Sequence, residues 1–590
     1  MAITSQRACH IHPRIRSHKP MSNVVAGPKA PKDPTKKRAA VYFMLDDAVE
    51  GRPDGNGGFA EVHFLEGRVA AKVTSLLPEI DTGLAKKLQM CEGFRELVHS
   101  IGVTMISDKE EHRGESIGFA LQCRTGTGYN GTRYQTEVDC NGKEALLVLE
   151  GYEAVEGETS LASINLTFPS YFTGRMTIRF YLNDGFSVPE LIPDPPVVFT
   201  SEEYRNMIAK SLVQTGNTFR MKRAIEKAKN GEEVTIAYIG GSITQGAGAK
   251  PIATESYAYR SYEAFKQRFG KGNGENIRFI KAGVGGTSSE LGLTRYEDDV
   301  LRGGSVVPDV VVIEFAVNDA GDETNGICYE SLALMAMKGP GNPAVILLFS
   351  VFMDDYNLQE SLSRVGYHYE LPMVSIKNAV TPQFYEETPV ITKRQFFYDL
   401  YHPSNEGHRI MADCLDYFFA KAEECSMPET DVNLEKEPVL GNIYQNLKAF
   451  GKEDVIRHDA VVFLDAGAFT GTDTQLQCVE KDMDSFVTPE YPDHWMHVAG
   501  DGTESFRMNI CCRDLLLVYK DSGDLSFGCV DVSVDGVRTR SINPLEVGWN
   551  HCNAVIVYQG KACAEHQVEI RLNPEDGSKN FTILGFGYTE

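Results

Sequence analysis

Hydrophobic and polar positions change period twice along this 590-residue chain. Residues 39–200 carry strand-length apolar runs, among them Ala145-Leu146-Leu147-Val148-Leu149, Leu161–Phe168 and Met176–Tyr181. Asn141-Gly142, just before the first of these, has hairpin chemistry, because both residues tolerate the positive φ of a tight turn. Pro193-Asp194-Pro195-Pro196 reads as a linker. This portion predicts a β-rich accessory domain.

From about residue 216 the texture changes. A helical stretch from Phe219 to Lys229, closed by Asn230-Gly231, leads into Val234-Thr235-Ile236-Ala237-Tyr238-Ile239. Apolar runs follow at Ile277–Ile280, Val310–Phe315 and Ala344–Val351, with helical patterns such as Tyr257–Phe269 and Tyr329–Met337 between them. Continuous apolar runs alternating with amphipathic ones predict βα units around a buried parallel sheet. A last helix, from about Asn405 to Cys425, puts Ile410, Met411, Leu415, Phe418 and Phe419 on one face. It closes a domain spanning residues 206–430. Beyond Pro428 short strands return, and Asp535-Gly536 between Val532-Ser533-Val534 and Val537 is a second hairpin signature. Residues 434–590 therefore predict a β-sandwich.

Composition narrows the partners. With 42% hydrophobic and 24% charged residues the chain is ordinary for a globular protein, and no apolar run reaches the ~18 residues of a membrane span. A net charge of −24 argues against nucleic acid and anionic membrane surfaces. The 13 cysteines form no Cys-x-x-Cys pair, which speaks for free thiols in the cytoplasm rather than a zinc site or a disulfide framework. Residues 1–38 run against the overall sign, with nine Lys/Arg and Asp33 as the single acid. They lack the apolar core of a signal peptide and are expected to be a disordered basic tail.

The first strand of the α/β region ends in Gly240-Gly241-Ser242-Ile243-Thr244-Gln245-Gly246. Open α/β sheets bind their ligands at the carboxyl ends of strands. A phosphate loop is excluded because Ala247 stands where lysine is required, and Gly283-Val284-Gly285 lacks the third glycine of a dinucleotide fingerprint, Ser288 taking its place. Gly114-Glu115-Ser116-Ile117-Gly118 matches Gly-x-Ser-x-Gly literally. That motif needs a strand before its serine and a helix after it. Here the polar Lys109–Arg113 precedes and the strand-like Phe119-Ala120-Leu121 follows, so Ser116 is set aside.

Three further blocks follow Ser242: Lys281-Ala282-Gly283-Val284-Gly285-Gly286-Thr287-Ser288-Ser289, Glu314-Phe315-Ala316-Val317-Asn318-Asp319, and Asp399-Leu400-Tyr401-His402-Pro403. With these four blocks in order, about 225 residues of the chain resemble the SGNH (GDSL-like) hydrolase family. The resemblance implies a three-layer α/β/α domain with a parallel sheet, here flanked by sandwich or jelly-roll-like β domains. It implies a serine esterase without cofactor or metal. Ser242 would be the nucleophile, His402 the base and Asp399 the group that orients it. The oxyanion hole would be the N–H groups of Ser242 and Gly286 and the side-chain amide of Asn318. Ala316 stands where the family usually has glycine, and Gly283 and Gly285 compete with Gly286. Outside that set, Asp319 is expected in an Asx-turn, Ser288 and Ser289 as helix caps, and His408 as a helix-surface or supporting residue.

The stretches GEEVTIAYIGGSITQGAGA, KAGVGGTSSELGLTRYEDDVL and LPMVSIKNAV are similar to a branch of bacterial carbohydrate esterases. That likeness implies removal of acetyl groups from plant-derived oligosaccharides, with a homo-oligomer compatible. A lipase or lysophospholipase with the same catalytic set, and a non-catalytic sugar-binding protein with a hydrolase-like core, are the alternatives. Trp495 and Trp549 lie in the C-terminal β region, where a core role is expected over sugar stacking. For residues 39–200 a lid, an oligomer interface and a glycan-binding module stay open.

Overall fold

The computed structural model describes residues 38–53, 57–65, 68–126, 130–484 and 486–590, so the tail expected at residues 1–38 lies outside it apart from Arg38. The N-terminal region forms an eight-stranded arrangement in the order Arg133–Asp139, Ser116–Thr125, Glu158–Phe168, Phe59–Phe64, Ala40–Pro53, Phe172–Leu182, Val98–Ser107, Asn141–Val148. Ala40–Pro53 serves both halves: most of it pairs with Phe172–Leu182, while Arg52 and Pro53 pair with Phe59–Phe64. Register shifts near Met44 let it bend around a core holding Phe43, Phe94, Phe119, Tyr134 and Phe180.

The region is β-rich as expected, and one local reading, the Asn141-Gly142 hairpin, needs correction. Three short helices, Val69–Leu76, Thr82–Gln89 and Cys91–Leu97, interrupt the β pattern and add Val73, Leu88 and Phe94 to the same core. Asn141-Gly142 does not close a hairpin. Gly142 takes φ +82°, but Arg133–Asp139 pairs with Ser116–Thr125 and Asn141–Val148 with Val98–Ser107. The turn carries the chain from one half of the arrangement to the other.

In the central region the sheet order is Ile277–Gly283, Val234–Gly240, Val310–Glu314, Ala344–Phe349, Met373–Ser375, all parallel, with Leu212–Gln214 added antiparallel at the edge. Alternation within the buried strands sends Ile236, Tyr238, Val312 and Ile346 into one core, with Ile225, Phe265 and Phe418 from helices. Ala237, Ile239, Val311 and Leu347 enter another, with Leu293, Leu332 and Val365. Period-2 side-chain direction thus explains why runs that look uniformly apolar cover both faces. Truncating Phe265, which is fully buried, would remove contacts worth about 3–5 kcal/mol.

The C-terminal region pairs Phe506–Asp521 with His551–Leu572 along most of their length, flanked by Phe581–Thr589 on one side and Val530–Val534 with Val537–Ile542 on the other. Asp535-Gly536 is the expected hairpin, with Val534 opposite Val537 and φ of 53° and 76°.

Candidate active site

The strand Val234–Gly240 delivers Ser242 as the first residue of a single helical turn, Ser242–Gln245. A Cβ at Gly241 would lie 2.3 Å from Asn318 Oδ1, so only glycine lets the Asn318 amide approach the serine turn this closely. From the other end of the region, Asp399 and His402 arrive just before the helix Asn405–Glu424. His402 Nε2 lies 2.9 Å from Ser242 Oγ, and His402 Nδ1 lies 2.9 Å from Asp399 Oδ2. The backbone N–H groups of Tyr401 and His402 both donate to Asp399 Oδ1 at 2.8 Å. Burial pushes the Asp399 carboxyl up, but the His402 ring and these N–H bonds outweigh it and hold the group well below the usual carboxylate range. It stays an anion facing the imidazole.

Three donors of these blocks have no acceptor among the described residues: the N–H groups of Ser242 and Gly286, and Asn318 Nδ2, whose amide lies against Gly241. Gly285 does not belong to them. Its N–H donates to Gln245 Oε1 at 2.9 Å and its carbonyl accepts from Gln477 Nε2 at 2.8 Å. Gly286 has φ +74°, and a Cβ there would meet the Trp549 ring at 2.7 Å.

Residues around these five take roles partly different from those expected. Ser288 precedes the helix Ser289–Asp299 but makes no capping bond; Asp319 caps it instead, accepting from Ser289 N–H at 2.8 Å and Ser289 Oγ at 2.9 Å. Burial pushes the Asp319 carboxyl up to about 8. His408 is not on the helix surface. It is fully buried, accepts from Tyr257 N–H, donates to the Ala247 carbonyl, and is pushed down to about 3 by burial, so it bridges as a neutral ring. Ser116 is exposed on the N-terminal sheet and donates to Asp139. Trp495 is buried against Phe506 and Phe586, whereas Trp549 is 43% exposed at the mouth of the site.

Much of the surrounding frame comes from the flanking regions. From the C-terminal side Gln477 holds Gly285, and His551 Nε2 donates to the Gly286 carbonyl at 2.9 Å. Gln245 Nε2 donates to Glu480 Oε2 at 2.7 Å, and Glu480 pairs with Arg52 of the N-terminal sheet. From that sheet Glu61 pairs with Lys250, His63 meets the Tyr398 hydroxyl, and Glu50 accepts from Ile252 N–H. No local motif marks these residues, since each joins the frame only through a partner in another region. Among the described residues two groupings of metal-ligand side chains stand outside the Ser242–His402–Asp399 set: Cys91, Cys123 and Glu158, and Glu290, Asp322 and Cys328. Their carboxylates are engaged, Glu158 by Arg95 and Asp322 by Thr324 and Gly326.

Residues 238–410 match the model of the GDSL-like lipase/acylhydrolase family. The central region is a GDSL-like acylhydrolase domain. The expected family is borne out, and the chain is a carboxylic ester hydrolase. Among solved structures, a two-domain esterase active on acetylated mannans is 26% identical, with a TM-score of 0.55 over 65% of this chain and 99% of that one. The same type of enzyme co-crystallized with mannopentaose gives 26% identity and a TM-score of 0.54, over 65% of this chain and 98% of that one. No curated protein sequence matches the chain. Among the described residues no helix of this hydrolase is long and apolar enough to cross a membrane.

Proposed function

We propose that this hydrolase removes short acyl groups, acetyl foremost, from carbohydrate through a Ser242–His402–Asp399 triad. The observation that carries the reading is the hydrogen-bonded chain from Ser242 Oγ through His402 to Asp399. Ser242 Oγ attacks the acyl carbon as His402 Nε2 takes its proton, and Asp399 stabilises the imidazolium. The intermediate's oxyanion lies among Ser242 N–H, Gly286 N–H and Asn318 Nδ2. His402 returns the proton to the departing sugar oxygen, leaving acyl-Ser242. Water, deprotonated by the same histidine, then releases the acid and restores the serine.

The sugar part of the reading draws support from the likeness to the esterase active on acetylated mannans and from the exposed Trp549 beside Gly286, a ring on which a pyranose can stack. We divide the chain into a β-rich domain at 39–200, a three-layer α/β/α domain at 206–430 and a jelly-roll-like domain at 434–590. Every cysteine among the described residues is a free thiol, in keeping with a reducing, cytoplasmic setting.

Ser242→Ala tests the mechanism: turnover of p-nitrophenyl acetate should fall by ~10⁴-fold or more. Equal turnover would refute it. Acetate release from acetylated mannan, xylan and cello-oligosaccharides then tests the substrate class, with activity on p-nitrophenyl acetate alone counting against it.

A further inference from the structure

A cavity of about 350 Å³ runs along the His402–Asp399 edge of the site, and all three regions line it. His402, Asp399 and Gln245 form its floor, Glu480 enters from the C-terminal region, and Phe64 and Arg68 come from the N-terminal region. The oxyanion donors Gly286 and Asn318 do not line it. Chemistry then assigns its content. The acyl oxygen must face those donors, and the alcohol must leave within reach of the histidine that protonates it. A cavity on the histidine side and away from the oxyanion donors is placed for the alcohol, not the acyl group.

The cations of this cavity are not equivalent. Lys72 donates to Asp47 at 2.9 Å, Lys250 pairs with Glu61, and Arg52 pairs with Glu480. Arg68 makes no side-chain hydrogen bond among the described residues: its nearest anion, Asp399 Oδ2, is 3.8 Å away. Its guanidinium lies 5.3 Å from the Tyr401 ring centroid, and its side chain is 44% exposed. A guanidinium oriented on an aromatic face, with five N–H donors and no acceptor, suits adjacent hydroxyls on a ring. Beside it Val62 and Phe64 expose apolar surface on one face of their strand, which suits the C–H face of a pyranose.

We propose that the N-terminal region builds the leaving-group subsite of this esterase, with Arg68 hydrogen-bonding the hydroxyls of the sugar unit that carries the acyl group and Phe64 covering its apolar face. The proposal rests on the carbohydrate reading above. It makes residues 39–200 part of the active site and gives Arg68 a role in selecting the alcohol.

The test compares wild type, Arg68→Gln and Phe64→Ala on acetylated manno-oligosaccharides and on p-nitrophenyl acetate, with kcat and KM determined separately across pH. For Arg68→Gln we expect KM for the sugar ester to rise by about tenfold or more, equal to about 1.4 kcal/mol of lost binding. The ratio of kcat/KM between sugar and aryl ester should fall by the same factor, with the acidic limb of the pH profile in place. Phe64→Ala should lower that ratio in the same direction. Equal losses on both esters, or a displaced acidic limb, would show that Arg68 acts through Asp399 and would overturn the proposal. An unchanged ratio in both variants, in an enzyme that does deacetylate sugars, overturns it alone. A wild type that cleaves p-nitrophenyl acetate but releases no acetate from any acetylated sugar overturns the carbohydrate reading, and this proposal with it.

Discussion

The C-terminal region reaches the proposed oxyanion loop with neutral groups: the Gln477 amide on the Gly285 carbonyl and the His551 ring on the Gly286 carbonyl, His551 being held below its usual range by burial. The N-terminal region reaches the His402 side with charges: Glu61 on Lys250, Arg52 on Glu480 and Arg68 near Asp399. The contrast has an electrostatic reason. A fixed charge beside the proposed oxyanion donors would change the field at the carbon under attack, whereas amide dipoles hold the loop with little net field. On the other side the Glu61–Lys250 and Arg52–Glu480 pairs are largely buried and tie the N-terminal sheet to the two other regions, while Arg68 stays partly exposed.

The comparison can be broken in graded steps. Asn318→Ala removes a donor from the oxyanion half, and kcat on p-nitrophenyl acetate should fall by ~10²–10³. A smaller loss would mean the two N–H groups suffice. Lys250→Met strikes the other half by leaving Glu61 buried without its cation, and should cost about 3–5 kcal/mol of stability in denaturant unfolding. If the loss appears in kcat with stability intact, the charged seam is catalytic and the contrast fails. Gln477→Ala should lower kcat by roughly tenfold with little change in KM, because the loop loses a brace but keeps its donors. A pure KM effect would reassign Gln477 to substrate binding.

A gentler probe is pH. Burial pushes His63 down to about 4 and His408 down to about 3, both from an ordinary value near 6.5. Protons then bind the unfolded chain first as pH drops, so their contribution to stability is present above about 6.5 and is lost toward pH 4 and 3. Burial pushes Glu314 up to about 7, Asp319 up to about 8 and Glu290 up to about 9. These groups have the opposite sign: their contribution is complete below the ordinary carboxylate range and declines as pH rises through 7 to 9. Thermal stability should therefore fall on both flanks, and a flat profile of unfolding temperature from pH 4 to 9 would contradict the burial of these groups. The smallest effect belongs to Ser116→Ala, which should leave turnover unchanged, since among the described residues the exposed Ser116 hydroxyl bonds Asp139 alone.

The sheet strands of the catalytic region were legible because each is a short continuous apolar run, and Ser242, Asn318, Asp399 and His402 because each lies in a short block just past such a run. The N-terminal helices were not. Each is seven or eight residues long, too short for a 3.6-residue period to stand out against neighbouring strands. Asn141-Gly142 misled for another reason: local φ preference selects a turn but not which strands it joins. The same limit separated the two tryptophans, since nothing local distinguishes Trp495 in a core from Trp549 at a rim.

By itself, then, the sequence determined the α/β texture of residues 206–430, the literal but misplaced serine at 116, and the order of the catalytic blocks. All of these are encoded within a few residues of chain. Only the tertiary structure decided that, among the described residues, Gly286 rather than Gly285 keeps a free N–H, that His408 is buried and neutral, and that Gln477, Glu480, Trp549 and Arg68 surround the site. Those outcomes depend on contacts such as Gln477 with Gly285, 192 positions apart. A side chain's local sequence carries its chemistry; the packing of distant segments decides which partner that chemistry meets.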